Sequence, residues 1–303
     1  MSIEFLGLHR QVRAGVLDIT YYDSGPTDGP AVILLHGFPY DVHAYTQVAP
    51  ALAALGCRVV VPYLRGYGPT RFVEAQTPRS GEQAALGADL LALLDALALP
   101  RALLAGYDWG STAACVVAAL WPERCTGLVS LSSYKIQNIA TAQRPAPPED
   151  EARFWYQYYF HSERGRAGLE QNRRALCRML WRTWSPHWPF DDATFDRSAA
   201  AFDNPDFVDV VVHSYRHRHG ATDGDPAYAS IEDRLARMPE IGVPAMTLDG
   251  AMDGVVGPTA DHAHYFTGWH QHRIIPDAGH NLPQERPVAF VQAIVDVMAR
   301  SKR

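Results

Sequence analysis

The chain of 303 residues has no uninterrupted apolar segment near the roughly 18 residues that a membrane span requires, which predicts no transmembrane helix and no membrane partner. Its opening residues, MSIEFLGLHRQ, carry neither the long apolar run nor the small-residue cleavage site of a secretory signal, so the expected location is cytoplasmic. Cysteine is scarce. Cys57, Cys115, Cys125 and Cys177 show no C-x-x-C spacing and sit in apolar or helical contexts, which reads as buried free thiols. Positive charge is in deficit as well: a net charge of −6 argues against nucleic acid as the main partner, because phosphate binding needs clustered cations. Internal repeats and low-complexity tracts are absent.

What is present is the composition of an ordinary globular protein, 47% hydrophobic and 20% charged. Its length suits one large core, or one core carrying an inserted subdomain. The first part alternates strand and helix patterns. Val12 to Tyr22 reads as an early strand, and Ala31 to Leu35 (AVILL) and Arg58 to Val61 as buried ones. Gln47 to Leu55 and Glu82 to Leu97 read as helices, Arg101 to Ala105 as a strand, Gly110 to Leu120 as a helix and Gly127 to Ser132 as a strand again. Continuous apolar strands separated by helices signal a parallel sheet covered on both faces.

From about Tyr134 to Met238 no strand run stands out. Aromatic- and Arg-rich helical stretches such as EARFWYQYYF and DFVDVVVHSYRHRHG alternate with turn clusters such as RPAPPED and SPHWPFDD. Strand signals return at Val243 to Leu248 and Arg273 to Ile275, and Ala289 to Ala299 closes as a helix. The expected organisation is an α/β core built from residues 1–133 and 239–303, mostly parallel sheet flanked by helices, with an all-helical cap inserted at 134–238.

Four segments carry the chemistry. AGYDWGSTAA, residues 105–114, places Gly106-Tyr107-Asp108-Trp109-Gly110 between a strand and a helix, a G-x-D-x-G form of the strained turn that exposes a nucleophile. His36-Gly37-Phe38-Pro39 follows the AVILL strand. Asp249-Gly250-Ala251-Met252-Asp253-Gly254 follows the strand after the cap, and Asp277-Ala278-Gly279-His280-Asn281 the last strand. All lie just past the carboxyl ends of strands, where parallel sheets place their reactive loops. The chain order nucleophile, acid, histidine is that of the α/β-hydrolases. Asp108 can also be read as a helix N-cap, and Asp249 as a competitor of Asp253, although motif position favours Asp253.

The sequence resembles the α/β-hydrolase superfamily along nearly its whole length, and within it the Asp-nucleophile branch of epoxide hydrolases and dehalogenases. HGFP matches that branch's H-G-x-P turn, YDWG its elbow, and DAGHNLPQERP its G-H-x-x-x-Q-E-x-P segment. The resemblance implies Asp108 as nucleophile, His280 as base oriented by Asp253, and the N–H groups of Phe38 and Trp109 as an oxyanion hole. A carboxylate suits attack at a saturated carbon bearing a leaving group, and the resulting ester is then hydrolysed by water. His36 and Pro39, with Trp155, Gln157 and Tyr159 of the cap, are expected to line the substrate pocket. No cofactor or metal is implied. The expected partners are a small-molecule substrate and water, and a homodimer is compatible with the sequence.

The leaving group divides the readings. An epoxide oxygen needs an acid, usually phenolic hydroxyls, whereas a halide needs only N–H donors. Phe154 to Phe160 resembles the first cap segment of soluble epoxide hydrolases, which maps their proton-donating tyrosine onto Tyr156, with Tyr158 or Tyr159 as alternatives. Val212 to Arg216 resembles the second, which maps onto Tyr215. Trp109 occurs in dehalogenases too, where a second halide-binding indole could come from Trp155, Trp181, Trp184 or Trp188. Haloacid dehalogenases carry arginines just after the nucleophile, where this chain has Trp109 and Thr112. The expected function is therefore epoxide hydrolysis to a diol. A haloalkane or haloacid dehalogenase, or a non-catalytic small-molecule receptor on a hydrolase shell, are the alternatives. His213, His217 and His219 read as hydrogen-bonded surface side chains rather than a metal pair, and Arg173, Arg174, Arg178 and Arg182 as a salt-bridged helix face.

Overall fold

The apolar runs all pair into one sheet. The computed structural model describes residues 6–301. Its strands are β1 (Leu8–Ala14), β2 (Leu17–Ser24), β3 (Ala31–Leu35), β4 (Arg58–Pro62), β5 (Arg71–Phe72), β6 (Ala102–Gly106), β7 (Cys125–Leu131), β8 (Ala245–Gly250) and β9 (His270–Ile275). The spatial order is β1-β2-β4-β3-β6-β7-β8-β9, with β5 on β2. From β4 to β9 along that path every pair is parallel, whereas β2 pairs antiparallel with β1, β4 and β5. In register, Ile33 lies beside Leu104 and Leu104 beside Leu128, and these central strands are buried on both faces. That burial is why they read as unbroken apolar runs rather than as alternating ones.

The helices are α1 (Val48–Ala54), α2 (Gln83–Ala96), α3 (Trp109–Leu120), α4 (Pro148–Arg153), α5 (Trp155–His161), α6 (Glu163–Trp184), α7 (Asp192–Ala199), α8 (Phe207–Arg218), α9 (Ala229–Leu235), α10 (Leu282–Glu285) and α11 (Pro287–Ser301). Helix α3 packs over β3, β6 and β7 with α2 beside it reaching β1, while α1 over β4 and α11 over β7 pack against each other. The four cysteines are buried and none forms a disulfide. Among the described residues no helix is long and apolar enough to cross a membrane.

Two expectations are corrected. Val12 to Tyr22 is not one strand. Gly15, at φ 58°, reverses the chain so that Ala14 faces Leu17 and the run splits into β1 and β2. β9 begins at His270 rather than at Arg273, because an edge strand left half-exposed needs no apolar residues at its start.

Helices α4 to α9 lie between β7 and β8, and among the described residues that stretch holds no strand beyond the isolated bridge of Ile241 to Phe266. α6 is amphipathic. Leu169, Cys177, Leu180, Trp181 and Trp184 are buried, while Arg174 pairs with Asp203 at 2.7 Å and Arg178 with Asp192 and Asp196 on the outside. The helical block is tied to the carboxyl edge of the sheet by polar contacts. Trp181 Nε1 donates to the Pro39 carbonyl at 2.7 Å, and the N–H groups of Gly254 and His280 both donate to the Trp184 carbonyl at 3.0 and 3.2 Å. Helix α9 turns back to the core, where the Glu232 carboxylate accepts from Gln83 Nε2 and the Ala84 N–H.

Candidate active site

β6 ends at Gly106 and α3 begins at Trp109, so Tyr107 and Asp108 alone must reverse the chain. Asp108 does so at φ 51° and ψ −122°, a left-handed conformation that a residue with a side chain holds only when its surroundings fix it. Neighbouring glycines make the room. A Cβ on Gly110 would run into the Leu35 carbonyl, and one on Gly37 into the Asp108 side chain. The carboxylate makes no cap to α3, which removes the N-cap reading. Instead Asp108 Oδ1 accepts the Phe38 N–H at 2.7 Å. Trp109 opens α3, so its N–H belongs to the turn without intrahelical partners, at the positive end of the helix.

His280 bridges two carboxylates. Its Nδ1 lies 2.8 Å from Asp253 Oδ2, and its Nε2 lies 3.6 Å from Asp108 Oδ2. Asp253 Oδ1 is itself fixed by the N–H groups of Val255 and Val256, at 2.8 and 3.0 Å. Asp249 is engaged elsewhere, accepting the Thr259 N–H and hydroxyl, both at 2.7 Å. The histidine loop is held from below by Glu285, which accepts from Ser185 Oγ and from the N–H groups of Gly279 and Asn281. Burial works against a charged His280, but Asp253 first and then Asp108 outweigh it and lift the imidazole to about 9. Burial likewise works to raise the Asp108 carboxyl, and His280, with smaller contributions from Lys135 and Arg218, holds it below the ordinary carboxylate value.

The cap completes the enclosure with aromatic rings packed on Phe38. Tyr156 stacks on it at a centroid separation of 6.2 Å and Tyr215 meets it edge-on at 5.4 Å, with the two tyrosines 5.3 Å apart. Both are buried, and burial raises both phenols, with the negative charge of Asp108 adding to it. Tyr156 Oη accepts from Gln157 Nε2 at 2.9 Å, whereas the buried Tyr215 hydroxyl has no hydrogen-bond partner. The buried Trp109 Nε1 is also without one. A carboxylate, a His–carboxylate pair and unpaired donors beside one cluster of aromatic rings can carry out displacement at carbon followed by ester hydrolysis.

Other residues expected at the site fall outside it. α5 buries Tyr156, Gln157 and Phe160, so its other face carries Trp155, 41% exposed, and Tyr159, whose hydroxyl abuts Gly168. Tyr158 also points out, to Glu151. His36 is buried beneath the loop instead of lining a pocket. Its Nε2 accepts the Leu64 N–H at 3.1 Å, its Nδ1 faces the Gly37 carbonyl, and burial pushes it down to about 4. Pro39 contributes its carbonyl to Trp181, which takes that indole out of the reacting centre. Tyr107 packs under the elbow against Tyr40 and Tyr45. The cap histidines are not simply at the surface. His217 is buried, stacked 5.8 Å from His213, whose Nδ1 accepts the Gly81 N–H, while His219 Nε2 lies 2.9 Å from Gln157 Oε1.

Comparison with known proteins bears on the fold and the family. The family model described as the alpha/beta hydrolase fold matches residues 30–287. The chain belongs to the α/β-hydrolase family. A crystal structure from Klebsiella pneumoniae subsp. pneumoniae, provisionally assigned as an epoxide hydrolase, is similar at 51% identity and a TM-score of 0.94, over 95% of this chain and 96% of that one. Epoxide hydrolase A of Mycobacterium tuberculosis is 28% identical over 91% of this chain and 92% of its own. A haloalkane dehalogenase of Mycolicibacterium paratuberculosis is 26% identical over 92% and 87%. This α/β-hydrolase is thus a hydrolase of the epoxide hydrolase branch, to which dehalogenases are also similar.

Sequence reasoning missed two features of this hydrolase's pocket. Trp184 appeared only as one of four halide-site indoles, yet its ring packs against both His280 and Tyr156, at 5.2 and 5.0 Å. Lys135 and Arg218 went unnoticed. Lys135 sits four residues past the end of β7, and that position at a carboxyl strand end was the available signal.

Proposed function

We propose that this α/β-hydrolase opens an epoxide to a vicinal diol through an ester on Asp108. The observation that carries the reading is the pair of buried cap tyrosines, Tyr156 and Tyr215, packed over Phe38 with the Tyr215 hydroxyl unpartnered. In the first step an Asp108 oxygen attacks an oxirane carbon, the carbon–oxygen bond breaks, and a tyrosine proton passes to the developing alkoxide. Esterification neutralises Asp108 and so removes one of the two carboxylates that keep His280 protonated, and the released imidazolium proton returns by way of solvent to the tyrosinate. His280 then takes a proton from water, and the hydroxide attacks the ester carbonyl, its oxyanion facing the N–H groups of Phe38 and Trp109. As the ester bond breaks, one proton of that water ends on the departing hydroxyl and the other stays on His280, which is charged again beside the freed Asp108 carboxylate. Loss of one oxyanion donor in such a site costs about 3 kcal/mol of barrier.

A second reading, halide displacement by the same triad, has the unpartnered Trp109 indole N–H in its favour. Turnover separates the two. Purified protein should hydrolyse styrene oxide and not 1-bromobutane, and Tyr215→Phe should slow styrene oxide opening by roughly 10²-fold, the usual worth of a general acid. With His280→Gln, the peptide holding Asp108 should retain one substrate mass after incubation with styrene oxide. Bromobutane turnover that survives Tyr215→Phe would replace the epoxide reading with the halide one. Turnover of neither substrate would leave the receptor alternative.

A further inference from the structure

A cavity of about 170 Å³ opens one helical turn beyond Asp108. Thr112, whose N–H donates to the Asp108 carbonyl, forms its near wall, and Ser214, Lys135 and Arg218 lie around it with Leu86, Ile136 and Ile139. The Arg218 guanidinium carbon stands 5.6 Å from the centre of the Tyr215 ring, so the cavity adjoins the reacting centre.

Its two cations lack counter-ions. Several other half-buried or buried arginines are paired, Arg65 with Asp89, Arg58 with Asp23, Arg79 with Asp206, and Arg216, two residues from Arg218, with Glu163, whereas half-buried Arg173 meets only the Phe202 carbonyl. Among the described residues neither Lys135 nor the Arg218 guanidinium has an ion-pair partner. The acid in the wall, Glu82, accepts the Asp225 N–H at 2.9 Å through Oε1, and its buried Oε2, without a hydrogen-bond partner, faces His213 at 3.6 Å; the carboxylates acting on Lys135 are instead Asp108 and Asp253. Burial, and next the Arg218 charge, push the Lys135 ammonium below its ordinary value, while Asp108 and Asp253 pull it back. Two like charges sharing one small cavity repel each other, and an anion placed between them relieves that repulsion and replaces the lost water.

We propose that the natural substrate is an anionic epoxide, whose carboxylate sits between Lys135 and Arg218 while its oxirane faces Asp108. This rests on the epoxide reading and adds the substrate class. It also differs from a grip by cations at positions 109 and 112, since here the cations come from the loop after β7 and from the last turn of α8.

The test uses an isosteric pair, 4-oxiranylbenzoate and 4-oxiranylbenzamide, with diol formation followed by chromatography. The expected kcat/KM of the wild type is about tenfold or more higher for the acid, the scale of a charge-assisted hydrogen bond. Lys135→Met and Arg218→Met should each lower the acid-to-amide ratio about tenfold, and Lys135→Arg should restore most of it. Circular dichroism checks that each variant is folded, and Lys135→Met alone suffices if Arg218→Met is not. A wild-type ratio near one, or a ratio unmoved in the variants, overturns the proposal while leaving epoxide hydrolysis standing. Should neither epoxide open, the epoxide reading fails on its own, and calorimetry with unreactive 4-ethylbenzoate decides the cation site. Saturable binding weakened about tenfold by Lys135→Met upholds it, and absence of binding overturns it.

Discussion

Asp108 and His280 set each other's protonation. Burial alone would drive both toward their neutral forms, yet His280 outweighs the desolvation of Asp108, and Asp253 together with Asp108 outweighs that of His280. In Asp108→Asn one of the two carboxylates beside the imidazole loses its charge, so the His280 pKa should fall below about 9. Titration of the imidazole signals by NMR, with the His280→Gln spectrum giving the assignment, checks this, and an unmoved value would separate the two groups electrostatically. At this scale the elbow was legible because its glycines are demanded by close approach: no other residue fits where Gly37 meets Asp108 or Gly110 meets Leu35. Trp155 and Tyr159 were not legible. α5 has seven residues and is aromatic on every side, so only its packing against α6 and α8 decides which rings face inward. Lys135 and Arg218 carry no sequence mark of being unpaired, since that follows from where the acids of other elements point.

The elements themselves could be read from their periods, because the central strands are buried on both faces and the helices between them are long enough to show their own spacing. The hairpin at Gly15 could not, since a two-residue turn inside an alternating run leaves the alternation intact. Nor does any motif announce how the loop after β4 is held to α2. Arg65 does this, fully buried, with Nε and Nη2 2.6 and 2.7 Å from the two oxygens of Asp89 and Nη1 2.8 Å from the Ser80 carbonyl. Removing one member of such a pair strands the other charge in the interior. Asp89→Ala should therefore lower unfolding free energy by about 3–5 kcal/mol in a urea titration, as is typical of a broken buried pair. A loss under about 1 kcal/mol, the worth of a surface pair, would mean that Ser80 and the Ala85 carbonyl hold Arg65 without the carboxylate.

Across the whole molecule, the buried histidines make stability depend on pH with opposite signs. His36 is held neutral, its pKa lowered by burial to about 4, so its contribution is present above the unfolded value of 6.5 and is lost as pH falls through about 4. His280 is held charged, so its contribution is present below 6.5 and is lost as pH rises through about 9. Burial raises the carboxyls of Asp89, Glu232 and Glu285, and these groups favour the fold at low pH, opposing His36 there. The wild-type curve therefore mixes both signs, and the diagnostic is the difference between variant and wild type. The stability that His280→Gln forfeits should be full below pH 6.5 and shrink by pH 9.5. The stability forfeited by His36→Gln should be largest above pH 6.5 and shrink toward pH 4. Urea titrations at pH 4.5, 6.5 and 9.5 measure both differences, and pH-independent differences would show that the two imidazoles act through packing alone.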